Sequence, residues 1–344
     1  MNVLLVQVDG KLPNIALMRI AAHHRDRGDT VRLIRGVNVP KLFEKWDLVY
    51  ASAIFERSRP ALQILYGECR SGIKPGPNVI VGGTGVADSP TIEFYGITTR
   101  KQDYSIYPDF RPSIGFTQRG CRLKCSFCLV PAKEGAVREE NTIADIWRGD
   151  PWPRELHLLD NDFFGQPNWR ARIAEIQDGG FKVSFNQGIN ARFLTDEAAE
   201  ALASVDYRDD SMKVRRIYTA WDNRKDKERL FEGLRRLVKY GVKPDHMMVY
   251  MLLGYCHRHR VSATQCACPD ADSPADRELR RAELRAFGCR PYPMPYVRTP
   301  ELVGFQRWVI GAYDKRITWN DWKANNYRPE GLKTVDVAAE TLFS

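Results

Sequence analysis

Gly115-Phe-Thr-Gln-Arg-Gly-Cys121-Arg-Leu-Lys-Cys125-Ser-Phe-Cys128 places three cysteines at C-x-x-x-C-x-x-C spacing, just after a short apolar run that reads as a strand. Thiolates are soft ligands that suit iron–sulfur clusters. A compact loop with three of them can bring three sulfurs onto one cubane-type 4Fe–4S cluster and leave one iron without a protein ligand. An open metal position is a place to bind and reduce a small molecule, much as a catalytic zinc keeps one site free. The competing reading is a zinc knuckle or a chance group of buried thiols. A zinc site normally needs a fourth Cys or His close by, and none follows in the next stretch.

Outward from that loop, a strand–helix alternation runs from Ser113 to about Val297. Strands are expected at Ile114–Thr117, Glu155–Asp160, Phe181–Gln187, Arg216–Trp221, His246–Leu253 and Pro291–Tyr296. Helices are expected at Thr142–Arg148, Trp169–Gly179, Asp196–Ser204, Arg224–Tyr240, Pro274–Phe287 and Glu301–Gly311. Gly179-Gly180, Gly241 and Gly288 stand where a cap glycine ends a helix. Parallel strands each followed by a helix predict a partial (β/α)6 TIM-like barrel.

In such barrels chemistry gathers on loops at the C-terminal ends of strands. That rule selects the cysteine loop, Asp160-Asn161-Asp162, Asn186-Gln187-Gly188, Trp221-Asp222-Asn223, Gly254-Tyr255 and Met294-Pro295-Tyr296. Each Asp or Asn there has helix N-capping as its ordinary alternative. For Asp222 and Asn223 both uses stay open; for Asn186 and Gln187, an amide pair on a strand end, the ligand reading is preferred.

Before the barrel, residues 1–105 read as a Rossmann-like α/β unit. Its expected strands are Val3–Val8, Thr30–Ile34, Leu48–Ser52 and Asn78–Val81, with helices from Pro13 to Arg27 and from Ser58 to Cys69. Asp9 to Asn14 and Gly82-Gly83-Thr84-Gly85 would lie at the sheet edge where ligands of such folds sit. The connector Asp103–Pro112, rich in prolines and aromatics, suits an extended crossing into the barrel domain, residues 106–300. Residues 301–344 form a C-terminal helical extension. In it, Trp319, Trp322 and Tyr327 interleave with basic residues, as a cover for the barrel's open side or a surface that stacks on bases.

The cysteine spacing, with the aromatic Phe127 immediately before the last cysteine, resembles the signature of the radical S-adenosylmethionine superfamily, over about residues 113–300. The layout of a Rossmann-like unit before the barrel is similar to that of family members in bacteria and their phages. The resemblance implies that Cys121, Cys125 and Cys128 hold a 4Fe–4S cluster whose open iron chelates S-adenosyl-L-methionine. An external one-electron reductant of flavodoxin or ferredoxin type would drive cleavage to a 5′-deoxyadenosyl radical, which abstracts a hydrogen atom from the substrate. Phe127 would lie near the adenine, and Asp160, Asn161, Asn186, Gln187, Asp222 and Asn223 would hold the rest of the cofactor. Where the family often has a Gly-Gly-Glu-like element for the methionine ammonium, this chain has Leu158-Leu-Asp-Asn-Asp162, so Asp160 or Asp162 takes that role. The N-terminal unit is similar to the cobalamin-binding-type domain of some members. The D-x-H-x-x-G pattern is absent, Asp9 being followed by Gly10-Lys-Leu12, and cobalamin is therefore not expected.

A second group, Cys256-His257-Arg-His259-Arg-Val-Ser-Ala-Thr-Gln-Cys266-Ala-Cys268, lies in a long loop on the same face. It offers a second cluster or a zinc ion, or thiols that bind nothing. Cys69 and Cys289 are isolated and expected inside. The net charge of +9 favours polyanionic partners, so a nucleic-acid base or tRNA is one substrate class, with a small metabolite or a peptide as others. The alternative function is a non-catalytic zinc- or iron–sulfur-containing nucleic-acid-binding protein. No apolar run approaches bilayer length, the N-terminus lacks a signal-peptide pattern, and eight unevenly spaced cysteines suit a reducing compartment; a cytoplasmic enzyme is expected.

Overall fold

In the computed structural model, which describes residues 1–36, 46–58, 60–62, 79–86, 89–266, 268 and 271–331, the run Val3-Leu-Leu-Val6 is buried throughout. A strand apolar on both faces belongs in the middle of a covered parallel sheet, and β1 (Asn2–Gln7) takes that place. It is followed by α1 (Ile15–Asp26), β2 (Thr30–Arg35), β3 (Leu48–Ser52) and β4 (Val79–Gly82). The strand order is β2-β1-β3-β4, all parallel. Asn14 starts α1 by accepting from Leu17 N at 3.2 Å. Asp9 follows β1 and accepts from the backbone N–H groups of Ile54 and Phe55 after β3, which closes the switch point between those strands. Cys69 and most of the helix expected from Ser58 lie outside the described residues.

The chain divides into two compact units, Met1–Ile114 and Gly115–Ser344. The division falls on β5 (Ser113–Gly115), and the second unit continues with β6 (Gln118–Arg119), α2 (Val130–Lys133), β7 (Arg138–Glu139) and α3 (Ile143–Ile146). Next come β8 (Glu155–Leu158), α4 (Trp169–Asp178), β9 (Lys182–Phe185), α5 (Asp196–Ser204), β10 (Asp206–Tyr207), β11 (Ile217–Ala220) and α6 (Lys227–Lys239). The remainder is β12 (Met247–Leu253), β13 (Tyr255–Cys256), β14 (Val261–Ser262), α7 (Pro274–Ala286), β15 (Arg290–Pro295), α8 (Pro300–Ile310) and α9 (Trp319–Ala324). The protein is thus mixed α/β with parallel sheets.

The expected strands are present, but they form two sheets, β10-β9-β8-β5 and β11-β12-β15, where one continuous barrel wall was expected. The reason lies at β9. Its N-terminal half is occupied by β10, with Asp206 opposite Lys182 and Tyr207 opposite Val183. The chain beyond β9 turns at Gly188 (φ +82°), where a Cβ would stand 3.0 Å from the Tyr218 carbonyl oxygen. That approach lets Ile189 N donate to Tyr218 O at 2.8 Å, so the two sheets meet through a turn.

One apolar core runs through the second unit, from Leu156 and Val183 to Val249 and Met251, and includes Trp308 and Trp322. The C-terminal aromatics serve this packing: Trp322 donates to Gly304 O at 3.0 Å, and Tyr327 stacks on Trp319. Among the described residues no helix is long and apolar enough to cross a membrane.

Candidate functional site

The three cysteines lie in the connection between β6 and β7, ahead of α2. Gly120, just before Cys121, has φ +79°, and a Cβ there would stand 2.2 Å from the Ala136 carbonyl oxygen. No side chain fits that close backbone pair. Glu134, just past α2, clasps the base of the loop. Its carboxylate accepts from Arg119 Nε and Nη2 at 3.0 and 2.8 Å, from Gly120 N at 3.0 Å and from Asn161 Nδ2 at 2.9 Å. Within the loop, Cys128 N donates to Cys125 O, and Leu123 N to Cys121 Sγ.

All three thiols are free and part-buried. Burial pushes the Cys121 thiol up to about 11 and raises Cys128 as well. Two guanidinium groups flank the loop. Arg122 pairs with the buried Asp162 at 2.8 Å, while Arg192 pairs with Asp226 close to Cys125.

Beneath the loop lies a buried polar knot. Asp160 Oδ1 accepts from Gln118 N at 2.6 Å and from Thr117 Oγ1 at 3.1 Å, and Gln166 Nε2 donates to Thr117 Oγ1 at 2.8 Å. Asp160 Oδ2, both polar atoms of the Gln118 side chain and Gln166 Oε1 are buried without a hydrogen-bond partner. Burial pushes the Asp160 carboxyl up to about 7. Each such orphan costs about 1–3 kcal/mol, so a cluster of them marks a place built to meet a polar ligand or water.

The other side of the loop reaches a cavity of about 820 Å³, lined by Asp222, Asn223, Tyr255, His257, Arg258 and Arg280 among others. Phe127 packs edge-on against Tyr255 and His257, with ring centroids 5.7 and 6.0 Å apart. His257 Nε2 donates to the Asp222 carbonyl at 2.9 Å. The Asp222 carboxyl accepts from Leu252 N at 3.0 Å, and burial raises it despite the nearby Arg280, Arg192 and His257. Arg280, almost wholly buried, donates to the carbonyls of Trp221 and Leu252 and pairs with Asp272, locking this wall to α7.

The candidates named from sequence therefore fall into separate groups. Phe127 and Cys128 stand beside the cavity wall that carries Asp222 and Asn223, while Asp160 and Asn161 lie under the loop. Asn223 caps the turn before α6, its Oδ1 accepting from Lys225 N at 3.0 Å. Asn186 is engaged elsewhere, between His157 (3.1 Å) and Asp210 (2.7 Å), and Gln187 is exposed. Cys256, His259, Cys266 and Cys268 converge on one another, and His257 turns away from them toward Asp222. Cys289 is buried with its thiol pushed up to about 12. Glu134, Arg122, Arg192, Gln118 and Gln166 were not singled out from sequence. Gln118 and Arg122 lie inside the opening stretch, but their partners, Asp160 and Asp162, come from the segment between β8 and α4 and are invisible without the fold.

No family model and no curated protein matches the chain. Among solved structures, the chain is similar to the cobalamin-dependent S-adenosylmethionine radical enzyme OxsB with aqua-cobalamin bound, at TM-score 0.51 and 16% identity. The match covers 74% of this chain and 49% of that one, so the chain spans about half the length of that protein. At this identity the likeness is one of fold. It nevertheless overturns the expectation that cobalamin is unlikely, because the fold it matches is that of a cobalamin-dependent enzyme with the cofactor bound. The missing D-x-H-x-x-G pattern does not by itself set cobalamin aside.

Proposed function

We propose that the protein is a radical S-adenosylmethionine enzyme in which Cys121, Cys125 and Cys128 hold a 4Fe–4S cluster. The observation that carries this reading is the three-thiol loop, clasped at its base by Glu134 and set by Phe127 against the wall of a cavity of about 820 Å³ that many charged residues line. The residues fit both groups. Three free, part-buried sulfurs on one loop would hold three irons of a cubane cluster and leave the fourth open. The orphaned buried atoms of Asp160, Gln118 and Gln166 offer polar contacts still to be made. In this reading β5, β8, β9, β11, β12 and β15 are the strands of a partial barrel, a finer description than the two observed sheets.

When bound, the cluster supplies the electron, received from an external reductant, that cleaves S-adenosylmethionine to a 5′-deoxyadenosyl radical able to take a hydrogen atom from the substrate. The protein's own part is to place and shield. Asp160 with Asn161, and Asp222 with Asn223, are the groups suited to the ammonium and ribose hydroxyls. Phe127, Tyr255 and His257 form an aromatic rim beside the loop that keeps water from the reacting end. Arg122 and Arg192 place positive charge beside sulfurs that carry negative charge once metallated.

The test is anaerobic reconstitution with iron and sulfide, then dithionite and S-adenosylmethionine, with 5′-deoxyadenosine as the readout. We expect product from the native chain and none from the variant with Cys121, Cys125 and Cys128 all replaced by Ala. A native chain that takes up zinc at this loop and forms no iron–sulfur chromophore overturns the proposal.

A further inference from the structure

Beyond the three-cysteine loop, a second set of donors gathers in the same unit. We infer that Cys256, His259, Cys266 and Cys268 form a closed, four-coordinate zinc site of the Cys3His kind. This does not depend on the function proposed above.

Local structure explains how the set forms. β13 and β14 pair antiparallel, with Tyr255 opposite Ser262 and Cys256 opposite Val261. The C-x-x-H spacing of Cys256 and His259 spans the turn of that hairpin, where Arg260 takes a left-handed conformation (φ +58°) and its N–H returns to the Cys256 carbonyl at 2.8 Å. The turn sets Cys256 Sγ 3.8 Å from His259 Nδ1. The short helical turn Ala263–Gln265 then carries the chain back, and Cys266 and Cys268 approach from the other side.

The distances fit one ion. His259 Nδ1 lies 2.9 Å from Cys266 Sγ, and Cys256 Sγ lies 3.2 Å from Cys268 Sγ and 3.4 Å from Cys266 Sγ. All four donor atoms fall within 4.8 Å of one another. Around a tetrahedral zinc with Zn–S of about 2.3 Å and Zn–N of about 2.0 Å, donor separations come to about 3.5–3.8 Å. The four donor atoms, within 4.8 Å of one another, span the size of a single ion, with no room between them for several irons and bridging sulfides. Three thiols are an odd number, so they cannot all be satisfied as disulfides within this set. The donor chemistry is that of structural zinc sites: soft sulfurs with one imidazole, and no fourth position left for a substrate. Outer contacts support the sulfurs, as Cys268 N donates to Cys266 Sγ at 3.4 Å.

The site holds part of the cavity wall in place. Tyr255 precedes its first ligand, His257 lies between the first two, and Ala271, which donates to the Cys268 carbonyl, bridges back to Cys256. Asp272, next along, accepts from Gly254 N and pairs with Arg280. Zinc would therefore join the β13–β14 hairpin to the segment that follows it.

The test uses the full-length protein. Metal analysis should find about one zinc per chain both in the native protein and in the variant lacking Cys121, Cys125 and Cys128. Zinc should fall to near zero in the double variant Cys266→Ser with Cys268→Ser. Should that variant fail to fold, cobalt exchanged into the native chain decides the matter, since a tetrahedral sulfur-rich site gives intense visible d–d bands and sulfur-to-cobalt charge transfer. Zinc that disappears with Cys121, Cys125 and Cys128 overturns the inference. So does a native chain that gives an octahedral cobalt spectrum or binds no cobalt.

Discussion

The two cysteine loops of the second unit use the same element of sequence chemistry for opposite ends. The Cys121–Cys128 loop presents three sulfurs, set between a buried polar knot with unmet hydrogen bonds and a cavity wall. The Cys256–Cys268 loop presents three sulfurs and an imidazole, and its donors already face one another. An open set invites a further ligand, whereas a closed set excludes one. The difference lies less in the number of cysteines than in what surrounds them. The first loop is held from outside, by the Glu134 clasp, and its sulfurs stay available. The second is held from inside, by convergence of its own donors, and its sulfurs are used up.

The largest effect expected is a double dissociation. Replacing Cys121, Cys125 and Cys128 should abolish iron–sulfur absorbance and leave zinc intact; replacing Cys266 and Cys268 should do the reverse to the metals. Loss of both metals in either variant would collapse the comparison into a single, shared site.

Next in size is the clasp itself. Glu134→Gln keeps the shape but removes the charge that Arg119 and Gly120 share. Charge-assisted bonds in a part-buried setting are each worth about 1.5–3 kcal/mol. The variant should lower the thermal midpoint and reduce iron retained after reconstitution, with zinc content unchanged. Unaltered iron retention would show that the loop holds its shape without the clasp.

These two loops also show what could be read from the chain alone. The first loop was legible because its donors are neighbours in sequence and its spacing is specific. The second was visible as a group, but His257 and His259 could not be told apart. The hairpin turn decides between them, sending one imidazole to the sulfurs and the other to the Asp222 carbonyl. Elements were legible where local signals act. Asp196–Ser204 is a helix over the expected span, and Ser273, Pro274 and Asp276 start α7 with a capping box. Pairings at long range were not. Asn186 looked like a ligand-binding amide on a strand end, yet His157 and Asp210 engage it. Arg280 and Arg281 contribute to the net charge of +9, but both are buried, on Asp272 and on Asp314 respectively. A charge total does not record which charges face inward.

A smaller effect separates the polar knot from its surroundings by pH. Asp160 stands at about 7 in the folded protein, well above the usual carboxylate range, because it is buried. The folded state then holds a proton that the unfolded state releases near pH 4. Stability contributed by this group is present below that point and declines as pH rises to about 7, after which it is flat. Asp160→Asn cannot ionise and should show no such decline. Denaturation of both proteins between pH 5 and 8 gives the comparison directly. A constant difference across that range would mean that Asp160 is ionised throughout and that its orphaned oxygen already has a partner in solution.

The smallest effect concerns Asn223, where capping and ligand binding were both open. Its side-chain oxygen accepts from Lys225 N, which satisfies one backbone donor at the turn into α6. Removing such a cap costs about 0.5–2 kcal/mol, and Asp caps as well as Asn. Asn223→Ala should therefore lower stability by about 1 kcal/mol, and Asn223→Asp should restore it. The same pair of variants tests the cavity wall on which Asn223 also lies. If its amide nitrogen donates to S-adenosylmethionine, Asp cannot replace it, and 5′-deoxyadenosine formation will fall in both variants while stability recovers in one. If the residue serves only as a cap, activity will follow stability and return with Asp.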